Sequence, residues 1–172
     1  MSRSDCKRQV LPQVFRPALW QLNRRHLLAS FILALPVGAS AGAWESGSFD
    51  NDDAMDWVAM CVRSKGASAV GKTLEASLKP AYLEAPEASE AIAAAEVVAA
   101  ARGKPNSKLP STLATWLQGQ SQKEIASLAP TASRAVDRIL NAKGSELQEL
   151  WKESKSYGVW QGHMRDLLMR LR

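Results

Sequence analysis

Residues 66–73 read GASAVGKT and satisfy the phosphate-loop spacing G-x-x-x-x-G-K-[ST]. In such a loop backbone N–H groups cradle phosphates. Gly66 and Gly71 would give the backbone room, Lys72 would reach the phosphates and the Thr73 hydroxyl would meet magnesium. That chemistry needs the loop to hang between a buried strand and a helix of a parallel sheet. Here the preceding residues, DWVAMCVRSK, carry apolar positions at helical spacing behind an acidic start, and no later apolar run ends in Asp to hold the metal. The stretch therefore reads as a helix stop at Gly66, with Lys72 and Thr73 facing solvent on the next helix. Nucleotide binding through Gly66, Gly71, Lys72 and Thr73 is the weaker alternative.

A second candidate lies just upstream, in AGAWESGSFDNDDAMDW, where Glu45, Asp50, Asp52, Asp53 and Asp56 gather without a basic neighbour. One reading is structural. Asp50 would be the N-cap of a helix, with Asp53 at N3 and Phe49 stapled onto the first turn. Carboxylates at a helix start stabilise it by roughly 0.3–1 kcal/mol each, less their mutual repulsion. The other reading is a hard-cation site shared by Asp50, Asp52, Asp53 and Asp56. The calcium-loop pattern fails, because no glycine stands at its sixth position and Cys61 stands where a bidentate Glu is needed. Capping is the expected role, and a divalent cation is the only cofactor these residues suggest.

Other titratable groups offer less. Beyond the first 43 residues the chain holds one histidine, His163, and one cysteine, Cys61, so a multi-histidine metal centre and an internal disulfide are both excluded there. Cys61 falls on the apolar face of its helix and His163 beside an apolar stripe, so packing accounts for both. Glu87, Glu90 and Glu96 could supply an acid and a base. Glu90 is explained by the dipole of an Ala-rich helix. Glu96, flanked by Ala94, Ala95, Val97 and Val98, is expected to be buried, with Arg134 and Arg138 as candidate partners.

The charge balance divides the chain. Of 22 basic and 17 acidic side chains, six basic and one acidic fall in residues 1–43, so residues 44–172 carry 16 of each. A neutral remainder without a basic stripe gives little attraction for phosphate backbones, and nucleic acid is not an expected partner. The basic part ends in NRRHLLAS and passes into an apolar stretch, Leu27 to Val37, of 11 residues. That is too short to cross a bilayer of about 30 Å as a helix. Pro36 and Gly38 break it, and Ala39, Ser40 and Ala41 follow, as in a secretory signal peptide. Cleavage after Ala41 or Ala43 would leave about 130 residues. The Arg24–Arg25 pair partly matches a twin-arginine signal. The domain expectation is a leader over 1–43 and one domain over 44–172, with a periplasmic or extracellular location. The alternative is an uncleaved membrane anchor over 26–44.

The elements needed to position these residues are helices. Ala54, Trp57, Val58, Cys61 and Val62 recur at helical spacing, as do Val70, Leu74 and Leu78 before Pro80. Pro86 suits the first turn of PEASEAIAAAEVVAAARG, which Gly103 closes. Pro110 opens a helix with Leu113, Trp116 and Leu117. Leu128, Ala132, Ala135, Val136, Ile139 and Leu140 make the face of another, with Pro130 in its first turn. Ser145 and Gln148 suggest a capping box before Leu147, Leu150 and Trp151. Trp160, Met164, Leu167, Leu168 and Leu171 form the last stripe. No run alternates as a strand. The expected fold is all-α, an irregular bundle of about six short helices.

Three stretches, GAWESGSFDNDDAMDWV, YLEAPEASEAIAAAEVVAA and SELQELW, together resemble the bacterial uncharacterised domain-of-unknown-function family 4259 over about residues 42–170. Members commonly begin near the Gly-Ala-Trp, which here directly follows the proposed cleavage site. Glu45-Ser46 departs from the Gly and small residue that many members carry. The resemblance implies a small helical domain and no established activity, so no catalytic residues transfer with it.

The expected function is a non-catalytic exported binding or interaction module, acting on a protein or envelope partner. Such a module should expose an apolar or aromatic patch, around Trp44 or Trp116, and lack a deep polar pocket. The alternatives are a metal-dependent protein or enzyme using Asp50–Asp56 and, less favoured, the nucleotide reading of Gly66–Thr73. Contact with a membrane is expected only through the leader or an uncleaved anchor.

Overall fold

The computed structural model describes residues 46–172. The leader, Trp44 and Glu45 lie outside the described residues. In chain order the helices are α1 (Asp52–Cys61), α2 (Ser68–Ser77), α3 (Ala85–Ala101), α4 (Ser111–Gln118), α5 (Gln122–Ala126), α6 (Ala129–Asn141), α7 (Glu146–Lys152) and α8 (Tyr157–Leu171). Among the described residues eight helices stand where about six were expected. No strand occurs among the described residues, and the only extended pairing there is an isolated parallel bridge between Leu83 and Ser145. None of the helices described is long and apolar enough to cross a membrane.

The centre of the fold is α3. Nine of its 17 residues are alanine and 13 are buried. A helix apolar on every side has no solvent face and must be surrounded. Alanine gives high helix propensity and lets neighbouring backbones come close. The surround consists of α1, α2 and α6, with α8, α5 and α7 completing it. Those helices are one-faced. α1 buries Ala54, Trp57, Val58 and Cys61, and α6 buries Ala132, Ala135, Val136, Ile139 and Leu140. Each large side chain taken fully from water contributes about 1.5–3 kcal/mol.

Helix ends account for the loops that matter below. Asn51, not Asp50, is the N-cap of α1, accepting from the Ala54 N–H at 2.9 Å. α3 ends in a Schellman turn. Gly103, at φ +77°, donates to Ala100 O at 2.9 Å, and the Lys104 N–H reaches Ala99 O at 3.0 Å. The turn sends residues 104–108 back along the helix they have left. At the other end of α3, the Ala85 N–H is capped by the Glu146 carboxylate at 2.7 Å. Pro86 and Pro130 both sit at the first or second helical position, as their spacing implied. Ser145 precedes α7 without a side-chain cap bond, and its hydroxyl is buried without a partner. The expected capping box is therefore not made. Ser145 is held instead by the bridge to Leu83, with Glu146 N–H donating to Leu83 O at 3.0 Å.

Candidate functional site

The GASAVGKT stretch is not arranged to hold phosphate. Gly66 has φ +69° and follows the end of α1, its N–H bonded to Gln120 Oε1 at 2.7 Å. Ser68 to Thr73 are inside α2, and the Gly71 N–H is spent on Ala67 O at 2.9 Å. A loop that cradles phosphate needs those amides unspent and a strand behind them. Gly71 is packed on Leu128, so that a Cβ there would lie 3.6 Å from Leu128 Cδ2. Lys72 is exposed. The Thr73 hydroxyl accepts from Trp57 Nε1 at 2.8 Å and so docks α2 on α1.

The acidic opening is spread out. The Asp50 carboxylate accepts the Gly47 N–H at 3.0 Å, while the Asp50 N–H returns to Gly47 O at 3.3 Å. A Cβ on residue 47 would stand 2.3 Å from Asp50 Oδ2, so another residue there would push the Asp50 carboxylate off the residue 47 N–H. Lys108 Nζ lies 3.5 Å from the same carboxylate. Asp52 and Asp53 occupy the first turn of α1, where they favour its N-terminus, and Asp56 is exposed one turn on. Among the described residues no three His, Cys, Asp or Glu side chains converge as metal ligands.

The thiol and the imidazole serve different surroundings. Cys61 is fully buried, and burial pushes its thiol up to about 11, partly offset by Ser64. His163 is exposed on α8, with Nδ1 at 2.8 Å from Ser46 O. Trp116 was an expected surface aromatic, but it is buried, with its Nε1 donating to Ser64 O at 2.9 Å. The large exposed apolar side chains among the described residues are instead Met55, Met60, Tyr82, Leu150, Val159 and Met169. Glu87 and Glu90 face a shallow groove beside Lys72 and Thr73. Burial, then Glu87 and Asp53, holds the Glu90 carboxyl above its ordinary range.

Glu96 is where the structure concentrates its polar chemistry. Its side chain is 1% exposed in the middle of α3. The expected partners, Arg134 and Arg138, are elsewhere. Arg134 reaches Thr131, while Arg138 donates to the carbonyls of Ser77 and Pro80 at the end of α2. Arg170 of α8 takes their place, clamping Glu96 with Nη1 to Oε2 at 2.6 Å and Nη2 to Oε1 at 2.9 Å. Ser48 Oγ and Asn106 Nδ2 also donate to Oε1, at 2.7 and 2.9 Å. The remaining side of the guanidinium is used as well, Nε on Asp166 Oδ2 at 2.7 Å and Nη1 on Lys104 O at 3.3 Å. Burial alone would push Arg170 down. The Glu96 and Asp166 carboxylates more than reverse that and hold it above its ordinary range.

Above this pair lies a polar cleft of about 370 Å³. One wall is the Gly47–Phe49 segment, another is residues 105–108 after the Schellman turn, and the third is the row His163, Asp166 and Arg170 along α8. Those three recur at i, i+3 and i+7 and so share a helix face beside the apolar stripe. Sequence reading missed Asp166, Arg170, Asn106 and Ser48. The polar row on α8 was the available signal for the first two. A polar cleft of this size also departs from the expectation of no deep polar pocket.

No curated protein and no solved structure matches this chain. A family model described as Domain of unknown function (DUF4259) does match, over residues 42–163. The match takes in the Gly47–Asp50 turn, Glu96, the loop through Lys108 and His163, and stops short of Asp166 and Arg170. With more than half of its length matched, from the segment that walls the cleft to the imidazole that lines it, the chain belongs to the DUF4259 family.

Proposed function

We propose that this chain is an exported, non-catalytic binding module whose ligand site is the cleft over Glu96 and Arg170. One observation carries the reading. The buried Glu96 carboxylate accepts four hydrogen bonds, from Ser48, Asn106 and both terminal nitrogens of Arg170. A base or nucleophile must have a lone pair to give. Glu96 is buried and already accepts four internal hydrogen bonds, three of them on Oε1, and the Cys61 thiol is buried and held up to about 11. The walls are thus preorganised for recognition, which lowers the ordering cost of binding. Export is supported by the charge and length pattern of residues 1–43.

The test is a thermal-shift screen of the full chain against small amines, carboxylates, phosphates, sugars and divalent cations. At least one small polar solute should raise the melting temperature and move the NMR signals of His163 and Lys108. Silence across the panel would overturn the cleft as a ligand site, and steady turnover of an ester or phosphoester in the same screen would overturn the non-catalytic reading. N-terminal sequencing of protein recovered from cells should begin at Gly42 or Trp44. An intact Met1 on soluble cytoplasmic protein would refute export by a cleaved leader.

A further inference from the structure

We infer that the cleft takes a small cationic ligand bearing a primary ammonium group on a short alkyl chain, with Asp166 as its counter-ion. The inference rests on the cleft being the binding site and deepens that reading. The first argument is charge. Two carboxylates line the cleft, Glu96 and Asp166, with Arg170 and Lys108 as the cations. Lys108 is in turn paired with the Asp50 carboxylate directly beneath the Gly47 turn, at 3.5 Å. Among the described residues the lining is balanced, two carboxylates against two cations, but both cations already face carboxylates, Arg170 those of Glu96 and Asp166 and Lys108 that of Asp50, so the cations offer an anion little.

The second argument is the direction of the hydrogen bonds. Arg170 commits four of its five N–H donors to Asp166, Glu96 and Lys104 O, so little donor capacity remains for an anion. His163 Nδ1 lies 2.8 Å from the Ser46 carbonyl, which can only accept. Nδ1 must therefore carry the proton, and in the neutral ring Nε2 is left as an acceptor. One turn further along α8, Asp166 uses Oδ2 for Arg170, while Oδ1 holds no bond among the described residues and the side chain is 56% exposed. Two acceptors, His163 Nε2 and Asp166 Oδ1, thus stand on one helix face at the rim. An ammonium group, with three donors and no acceptor, complements them. Phe49 and Pro105 add an apolar wall for a short chain. The volume, about 370 Å³, is at the lower end of small-molecule sites and suits a compact solute.

The experiment is an NMR titration of the full chain with n-butylammonium chloride, and in parallel with sodium butyrate and with inorganic phosphate at matched ionic strength. Butylammonium should saturate and shift the His163 ring and the backbone of residues 163–166, while the two anions leave them unmoved. Asp166→Asn should weaken butylammonium about tenfold and His163→Ala severalfold. Because Asp166 also bonds Arg170 and His163 also bonds the Ser46 carbonyl, each titration is run at a temperature where that variant's melting curve shows it fully folded. Asp137→Asn, on the outer face of α6, should leave the affinity unchanged. Butyrate or phosphate saturating at His163 in place of butylammonium would overturn the ligand class and leave the cleft standing as a binding site. Butylammonium binding that Asp166→Asn and Asp137→Asn weaken equally would mark diffuse surface attraction and overturn the inference. If none of the three probes binds, the inference falls, and the wider solute screen decides whether the cleft falls with it.

Discussion

A carboxylate at 1% exposure is one of the costliest groups a fold can carry, and Glu96 shows how the cost is offset. Its charge is met by a forked guanidinium, the geometry in which Arg exceeds Lys, and Oε1 also accepts from Ser48 and Asn106. Such a pair adds little net stability over a well-packed apolar pair, but leaving one member alone is expensive. Arg170→Met should therefore lower the unfolding free energy by about 3–5 kcal/mol in urea denaturation. Adding Glu96→Gln in the same chain should recover more than half of that loss. The neutral amide removes the stranded charge, and its oxygen can still accept from Ser48 and Asn106. A double variant as unstable as Arg170→Met alone would show that packing of the long side chain, and not charge, is what Arg170 supplies. At Asp50 the same scale explains a shifted cap. Its carboxylate folds back onto the Gly47 N–H, which leaves Asn51 to cap α1. Nothing in the residue types announced that, because it depends on the missing Cβ of Gly47.

Helices were the legible part of this chain. Ala54, Trp57, Val58 and Cys61 on α1, and Trp160, Met164, Leu167 and Leu171 on α8, are buried as their spacing implies. The one helix that no stripe announced, α5, arises where periodicity has least to work with. α5 has five residues and buries one side chain, Ile125. The partner of Glu96 was illegible for a different reason. Arg170 lies 74 residues away, and helical periodicity says which face is polar, not which distant helix that face meets. Arg138 was a reasonable candidate by charge, but the carbonyls of Ser77 and Pro80 at the end of α2 hold it. α3 also carries a local conflict that its sequence does show. Glu87 and Glu90 are three apart near its start, with Asp53 of α1 close by, and burial first and those charges second raise the Glu90 carboxyl from 4.5. A raised acid binds its proton more tightly in the folded state than in the unfolded chain. The folded state is thus favoured below 4.5 and loses that advantage as pH rises through the window above it. Glu90→Gln removes the penalty. It should stabilise the protein by about 0.2–0.5 kcal/mol at pH 7, the range for like charges one helical turn apart. The gain should shrink as pH is lowered towards 4, followed by thermal melts across pH. A gain independent of pH would assign the effect to helix propensity instead.

At the scale of the whole molecule, Glu96 joins parts of the chain that have no reason to move together. The Gly47–Phe49 segment leads into α1, residues 104–108 leave α3, and α8 ends the chain, yet all three bond to one carboxylate. Coupling through a shared partner of this kind should make the three walls of the cleft open as one unit rather than fray separately. Asn106→Ala tests this without stranding a charge, since Arg170 and Ser48 remain on Glu96. It removes a hydrogen bond to a charged group, a loss on the order of 1.5 kcal/mol. If the walls open together, amide hydrogen exchange should quicken roughly tenfold at residues 47–50, remote in sequence from the substitution, as well as at 106–108. Exchange in α6, which neither lines the cleft nor bonds to Glu96, should be unchanged. Gln120→Ala releases the Gly66 N–H from a bond that does not involve Glu96 and should leave residues 47–50 as they were. Faster exchange confined to residues 106–108 would mean that the loop opens alone. Glu96 would then be three separate anchors sharing an atom, and a ligand seated on α8 could not be felt at the start of α1.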